Sequence, residues 1–277
     1  MLMPVRVIAR QEMEVALRDR WLLAIGMAFT ALILGSAALA LAGAEIAGLA
    51  AFDRSAAALV NLTVLFIPLL GLGVGAGSIA GERESGALGV LLAQPVSRGQ
   101  VFAGKYAGVA SAVCAAILLG YGLAGIALSM RAGTAHLAAY LTLAALSALL
   151  GLAMAGVGLA VSAVASNRMR ALGAALVLWL ALVLLSDLGI LATAVVARVG
   201  VGTIFWLAML NPVDVYRVAA ILATGGSPDL TGPVGLYAAA RFGAEGLQWV
   251  LTGLLAAWAL AAAAAGLLAF TAQRGME

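Results

Sequence analysis

Apolar positions along this chain come in long unbroken runs, not in the alternation of half-buried strands. Six runs reach the roughly 20 residues that an α-helix needs to cross the hydrocarbon of a bilayer. They cover about Trp21 to Ala42, Ala57 to Ile79, Phe102 to Met130, Leu137 to Ala163, Ala171 to Val195 and Leu247 to Phe270. A membrane β-barrel would instead show short alternating segments. Ala40-Leu41-Ala42 has the small residues of a signal-peptide cleavage site. The apolar run before it exceeds the about 7–15 residues of a signal core, so the first span is expected to be retained.

Three segments outside the spans carry pattern of their own. From Pro4 to Arg20, Val5, Ile8, Ala9, Met13, Ala16 and Leu17 share one helical face, with Arg6, Arg10, Glu14 and Arg18 opposite. This amphipathic helix suits the membrane interface and leads directly into Trp21. Between spans two and three, the charged head Gly81-Glu82-Arg83-Glu84 precedes Leu88, Leu91 and Leu92 at helical spacing, and Pro95 ends that pattern. Ser97-x-x-Gln100 reads as a capping box that opens the next helix. Such a short helix fits either docking into a partner groove or a connector on the membrane surface. Between spans five and six, Asn211-Pro212-Val213-Asp214 starts a helix well, with Asn211 as N-cap, Pro212 in the first turn and Asp214 near the positive helix end. That helix runs to Thr224 and stops at Gly225-Gly226, and a second stretch covers about Val234 to Ala244. Both are too short or too polar to add spans, and are expected to cap the outer mouth or receive an external partner.

Composition agrees with the pattern: 65% of residues are hydrophobic and only 10% charged, with a mean hydropathy of +1.13. Soluble domains carry about 25% charge, so one water-soluble core is excluded. The net charge of +3 comes almost wholly from arginine, Lys105 being the only lysine. Arg6, Arg10, Arg18, Arg20, Arg83, Arg98, Lys105, Arg168, Arg170 and Arg274 fall on one side of the six crossings. That places both termini in the cytoplasm by the positive-inside rule. The charges mark topology and not a nucleic-acid footprint.

Candidate chemistry is sparse. With Cys114 and His136 each alone, no internal disulfide or two-histidine metal site can form. Gly99 to Tyr106 matches GxxxxGK but has Tyr106 where a phosphate-binding loop needs Ser or Thr for magnesium. ATP energy would therefore come from a partner. Asp187 reads as the one acid within a span, about 24 Å beyond Ala171 and so near the outer boundary. Capping or snorkelling is the favoured reading there over an ion pathway. Met130, Met154 and Met209 fit packing better than soft-metal binding. The spans show no polar lane. An intramembrane enzyme would need converging polar residues in the spans, and a secondary transporter inverted repeats with broken helices; neither is evident. Gly71, Gly73, Gly75, Gly77 and Gly81 include pairs at GxxxG spacing, compatible with close packing within the chain or across a dimer.

The stretch Gly81-Glu82-Arg83-Glu84-Ser85-Gly86-Ala87-Leu88, then Leu91-Leu92-Ala93-Gln94-Pro95-Val96-Ser97-Arg98 and Gly104-Lys105, resembles the cytoplasmic signature of ABC-2 type transporter permeases. Leu210 to Arg217 is similar to the outer segment of the NosY-type permeases of the nitrous-oxide reductase maturation system. The resemblance implies a single all-α membrane domain over 1–277, like the type V ABC exporters. It would have six spans, an interfacial elbow helix (1–20), a cytoplasmic coupling helix (81–98) and short extracytoplasmic helices (197–246). It implies a bacterial inner-membrane permease that is not itself an enzyme. It pairs with a second copy and two P-loop ATPase subunits, which hold ATP and magnesium. A periplasmic β-helical protein and a copper chaperone would be further partners. By position, Glu82, Arg83, Glu84, Leu88, Leu91 and Leu92 would contact the ATPase. Asn211, Pro212, Asp214, Tyr216 and Arg217 would form the extracytoplasmic partner site or gate. The spans' lack of a polar lane favours force transmission over transport. The alternative within the family is an exporter of a lipid or drug-like compound.

Overall fold

The computed structural model describes residues 2–47, 50–132, 137–196, 200–225 and 232–273. These residues form eleven helices. Six are long: α2 (Arg20–Ala47), α3 (Ala50–Glu84), α5 (Arg98–Ala132), α6 (Leu137–Val164), α7 (Arg168–Val196) and α11 (Ala244–Ala272). Each contains one expected span within its bounds. Five of them (all but α7) are long and apolar enough over their described residues to cross a membrane. A sixth candidate is the bent pair α8 (Val201–Ala208) and α9 (Pro212–Ala223), angled by 107°. The chain is a multi-pass membrane protein. α7 is helical throughout the expected fifth span, although the side chain of Asp187 lies outside the described residues, as do His136 and Arg274.

Helix ends follow the local signals. Ser97 and Gln100 exchange backbone–side-chain hydrogen bonds of 2.9 and 3.2 Å, the reciprocal capping box expected before α5. The Asn211 side chain accepts from the Val213 amide at 3.0 Å, with Pro212 at the first position of α9. Gly86 has φ 75°, a left-handed turn open to glycine, and it breaks α3 from the short α4 (Ala87–Leu92).

The centre of the bundle is the α3–α6 pair, the two most buried spans. A Cβ at Gly75 would lie 2.6 Å from the Ala155 carbonyl oxygen, and one at Gly158 would lie 2.6 Å from that of Leu72. Only glycines allow this backbone approach. The glycine row of span two is therefore used within the chain: Gly71 and Gly75 against α6, Gly73 against Trp21, and Gly77 and Gly81 against Arg168. Gly156 makes the same kind of approach to α11 at Ala262.

The amphipathic helix α1 (Leu2–Leu17) packs its apolar face on α5: a Cβ at Gly104 would meet Ile8 at 2.7 Å, and one at Gly108 would meet Glu12 at 2.5 Å. The spacing of four residues on both sides means that α1 runs alongside α5 in the same direction. Ile8, Glu12 and Ala16 are buried there, while Met3, Val7 and Val15 form a second, exposed apolar strip. Helical periodicity showed that α1 has an apolar face, but not what would cover it.

Enlarging a glycine at the α3–α6 contact should act as overpacking against backbone, costing roughly 1–3 kcal/mol or more. Gly75→Leu is expected to lower the unfolding midpoint of the purified protein in detergent. Gly173→Leu, whose Cβ faces open space, should leave that midpoint unchanged.

Candidate coupling site

Four chain segments converge at the end of the bundle that carries α4, and their charges are used on one another. Lys105 on α5 is 1% exposed and lies between two carboxylates, 2.8 Å from Glu12 on α1 and 2.7 Å from Glu82 at the end of α3. Ser78 Oγ donates to the other Glu12 oxygen at 2.5 Å. A lone buried ammonium would be strongly penalised; two facing carboxylates and a hydroxyl make this one tenable. The cluster binds α1, α3 and α5 together. The GxxxxGK look-alike is thus the interior of α5, with Lys105 already engaged.

Arg83 points the other way. Its guanidinium donates to the carbonyls of Ala163 and Ala165, at the last turn of α6, and to Gln273 Oε1 beyond α11. Those carbonyls have no partner inside the helix, so Arg83 caps α6 with the charge its dipole favours. Glu84 accepts from the Arg168 amide at 3.0 Å and so caps the start of α7. The Arg168 guanidinium bonds Asp19, whose other oxygen accepts from the Trp21 amide at the start of α2. Around these groups opens a polar cleft of about 320 Å³, lined by Glu12, Asp19, Ser78, Glu82, Glu84 and Arg168 among others.

The six residues expected to meet an ATPase therefore divide. Glu82 and Arg83 are half-buried and turned into the bundle. Leu88 is 2% exposed, and Leu91 and Leu92 pack on the core beside it, so the leucine stripe seats α4 on the bundle. Glu84 remains exposed. The outward face of α4 is Ala87, Gly89 and Val90, continued by Ala93, Gln94 and Pro95.

The residues of the second expected site are packed into the bundle. Asn211 Nδ2 donates 2.7 Å to the Leu182 carbonyl on α7, and Trp258 Nε1 of α11 donates 3.2 Å to the Met209 carbonyl. Leu182 lies 14 residues past Arg168 and Trp258 lies 14 residues before Ala272, each about 21 Å from the α4 end of a helix about 43 Å long. The α8–α9 corner, bent by 107°, thus packs about halfway along α7 and α11. Pro212, Asp214 and Tyr216 are buried, and Arg217 is half-buried. Asp214 lies in the first turn of α9, 5% exposed, where the helix dipole favours its charge.

Tyr216 also joins a hydroxyl cluster that single spans could not reveal. Ser147 Oγ lies 3.2 Å from Tyr216 Oη and 3.0 Å from Tyr121 Oη, which lies 2.7 Å from Thr63 Oγ1. Tyr140 Oη donates 2.8 Å to the Tyr121 carbonyl. α3, α5, α6 and α9 are linked through groups that lipid could not satisfy. Each span offers isolated hydroxyls, and tertiary packing gathers them. The residues missed by sequence reasoning are Glu12, Asp19, Ser78, Thr63, Tyr121 and Ser147. Arg168 was read only as a topology charge, and Lys105 as a topology charge and part of a motif. A polar residue on the apolar face of α1, Glu12, was the signal available.

The helical bundle is that of a multi-pass membrane protein, and the chain belongs to the ABC-2 family transporter proteins, whose family model matches residues 6–274. It is similar to the "Probable ABC transporter permease protein NosY" of Stutzerimonas stutzeri, 33% identical over 264 residues, 91% of this chain and 96% of that one. The protein with the same description from Pseudomonas aeruginosa strain PAO1 is 35% identical over 269 residues, covering 92% and 94% respectively.

Removing one member of the buried triad should be costly. Lys105→Met leaves two carboxylates facing each other and is expected to destabilise by roughly 3–5 kcal/mol. The triple change Glu12→Gln, Glu82→Gln, Lys105→Met should recover most of that loss. Thermal unfolding of the purified variants checks both.

Proposed function

We propose that this chain is the permease subunit of an ABC transporter whose α4 end faces the cytoplasm and meets a partner ATPase. In this reading two copies of the chain pair with two P-loop ATPase subunits, which hold ATP and magnesium, in the bacterial cytoplasmic membrane. The observation that carries it is the rooting of α4. Its exposed face is open to a partner, while the residues just before it, Glu82, Arg83 and Glu84, are tied to α5, α6 and α7, and through Lys105 to α1. A push on α4 would therefore move several helices at once. α3 and α5 would carry that motion to the hydroxyl cluster and α9. Met3, Val7 and Val15 would rest against lipid as α1 does the work of an elbow helix.

The similarity to NosY permeases supports a role in maturing the copper site of nitrous-oxide reductase, with a periplasmic β-helical protein and a copper chaperone as further partners. The α8–α9 corner is the element a periplasmic partner would sense. Conformational work, not passage of a substrate, suits a bundle whose polar groups are spent on one another.

The coupling surface is tested with the ATPase reconstituted alongside the permease. Val90→Asp changes only the exposed face of α4 and should abolish permease-dependent stimulation of ATP hydrolysis without lowering stability. Glu84→Arg and Leu91→Asp should uncouple as well, but with loss of stability, because each also breaks a contact within the bundle. Full stimulation in Val90→Asp would overturn the assignment of α4. For the narrower role, a strain lacking this gene should produce nitrous-oxide reductase with reduced copper loading; unaltered loading would leave only the broader permease function.

A further inference from the structure

A groove between α2 and α5 has no role in the coupling scheme. It holds about 360 Å³ and is walled by Leu22, Leu23, Met27 and Leu34 on α2 and Leu119 on α5, with small residues at its floor. Gly26, Ala31, Ala115 and Ala116 create the hollow, because larger side chains at those positions would close it. Thr30 is its one polar side chain. From Leu22 to Leu34 it runs about 18 Å along α2. One leaflet of a bilayer offers about 15 Å of hydrocarbon. The groove matches a single acyl chain in length and chemistry, and left unfilled its walls would lose dispersion contacts.

Its mouth is distinctive. Leu17 lines the groove where α1 turns into α2, and Arg18 and Arg20 flank that turn. Both arginines are exposed, and neither forms a salt bridge among the described residues. Asp19 between them is engaged by Arg168 and the Trp21 amide, so it does not cancel their charge locally. Two unpaired guanidinium groups at the start of a span sit at headgroup level. Arginine recognises phosphate in a bidentate manner, and an anionic headgroup adds charge that a zwitterionic one lacks.

We propose that this groove is a binding site for an anionic phospholipid of the leaflet on the α4 side, with one acyl chain along α2 and α5 and the headgroup on Arg18 and Arg20. The bound lipid braces the α1–α2 turn, next to the Asp19–Arg168 contact of the coupling end. The occupant is set by the two cations at the mouth; a tail-only contact would have no preference for headgroup charge.

The test uses full-length protein in nanodiscs containing equal phosphatidylglycerol and phosphatidylcholine, released gently into the gas phase for native mass spectrometry. Wild type should retain phosphatidylglycerol in preference to phosphatidylcholine. Replacing either arginine by glutamine should weaken that retention about fivefold, and the double change Arg18→Gln, Arg20→Gln should abolish the preference. Ala31→Leu, which fills the groove from its floor, should reduce bound lipid of both kinds. Should Ala31→Leu fail to fold, the arginine variants decide the matter alone, since their side chains are exposed. Equal retention of the two lipids by wild type, or an undiminished preference in the double arginine variant, would overturn the proposal. So would wild type that retains no lipid because a second copy covers the groove.

Discussion

The cytoplasm-proximal half of this fold, as proposed, depends on one buried cation. Lys105 is enclosed by protein, and its charge is acceptable only while Glu12 and Glu82 stay within ion-pair distance. That requirement fixes three helices relative to one another. Gly104 and Gly108 on either side of it let α1 come close enough for Glu12 to reach. The constraint therefore involves backbone and charge at once: neither the glycines nor the ion pair would serve without the other. Arg83 and Glu84, next in sequence to Glu82, extend the same tie to α6 and α7 through helix caps. A six-residue helix with little surface of its own is thereby anchored to most of the bundle.

The far half is joined differently. There the linking groups are neutral hydroxyls, gathered where α9 enters between α3, α6 and α11. Hydroxyls can exchange partners at modest energetic cost, whereas a buried ion pair that loses its partner is penalised heavily. In the proposed reading, a stiff end and a re-pairable end connected by two long helices would couple movement of α4 to α9. The α8–α9 corner, pinned by Leu182 and Trp258, is where that motion would arrive.

Much of the fold was legible in the residues. Long apolar runs marked the six long helices, and the caps at Ser97 and Asn211 were read from side chains that act within three residues of themselves. Features that depend on distant partners were not legible. The face of α1 was evident from its period, but only the structure shows that α5 covers it. The helix that opens at Asn211 was read from its cap, but α8 was not, and the seating of both beside α7 and α11 depends on hydrogen bonds to those helices. The same holds for the coupling residues. The motif located the α4 end, but the inward turn of Glu82, Arg83 and Leu88 follows from partners 20 to nearly 200 positions away, as with Gln273.

The central claim is that the Lys105 tie carries motion from α4 to α9. Hydrogen–deuterium exchange of the segment Pro212–Ala223, measured in the complex with its ATPase with and without ATP, tests it most directly. The native complex should show ATP-dependent exchange in α9. The charge-neutral triple variant at Glu12, Glu82 and Lys105, still folded and still binding ATP through its partner, should lose that dependence. An identical ATP response in both would contradict the account.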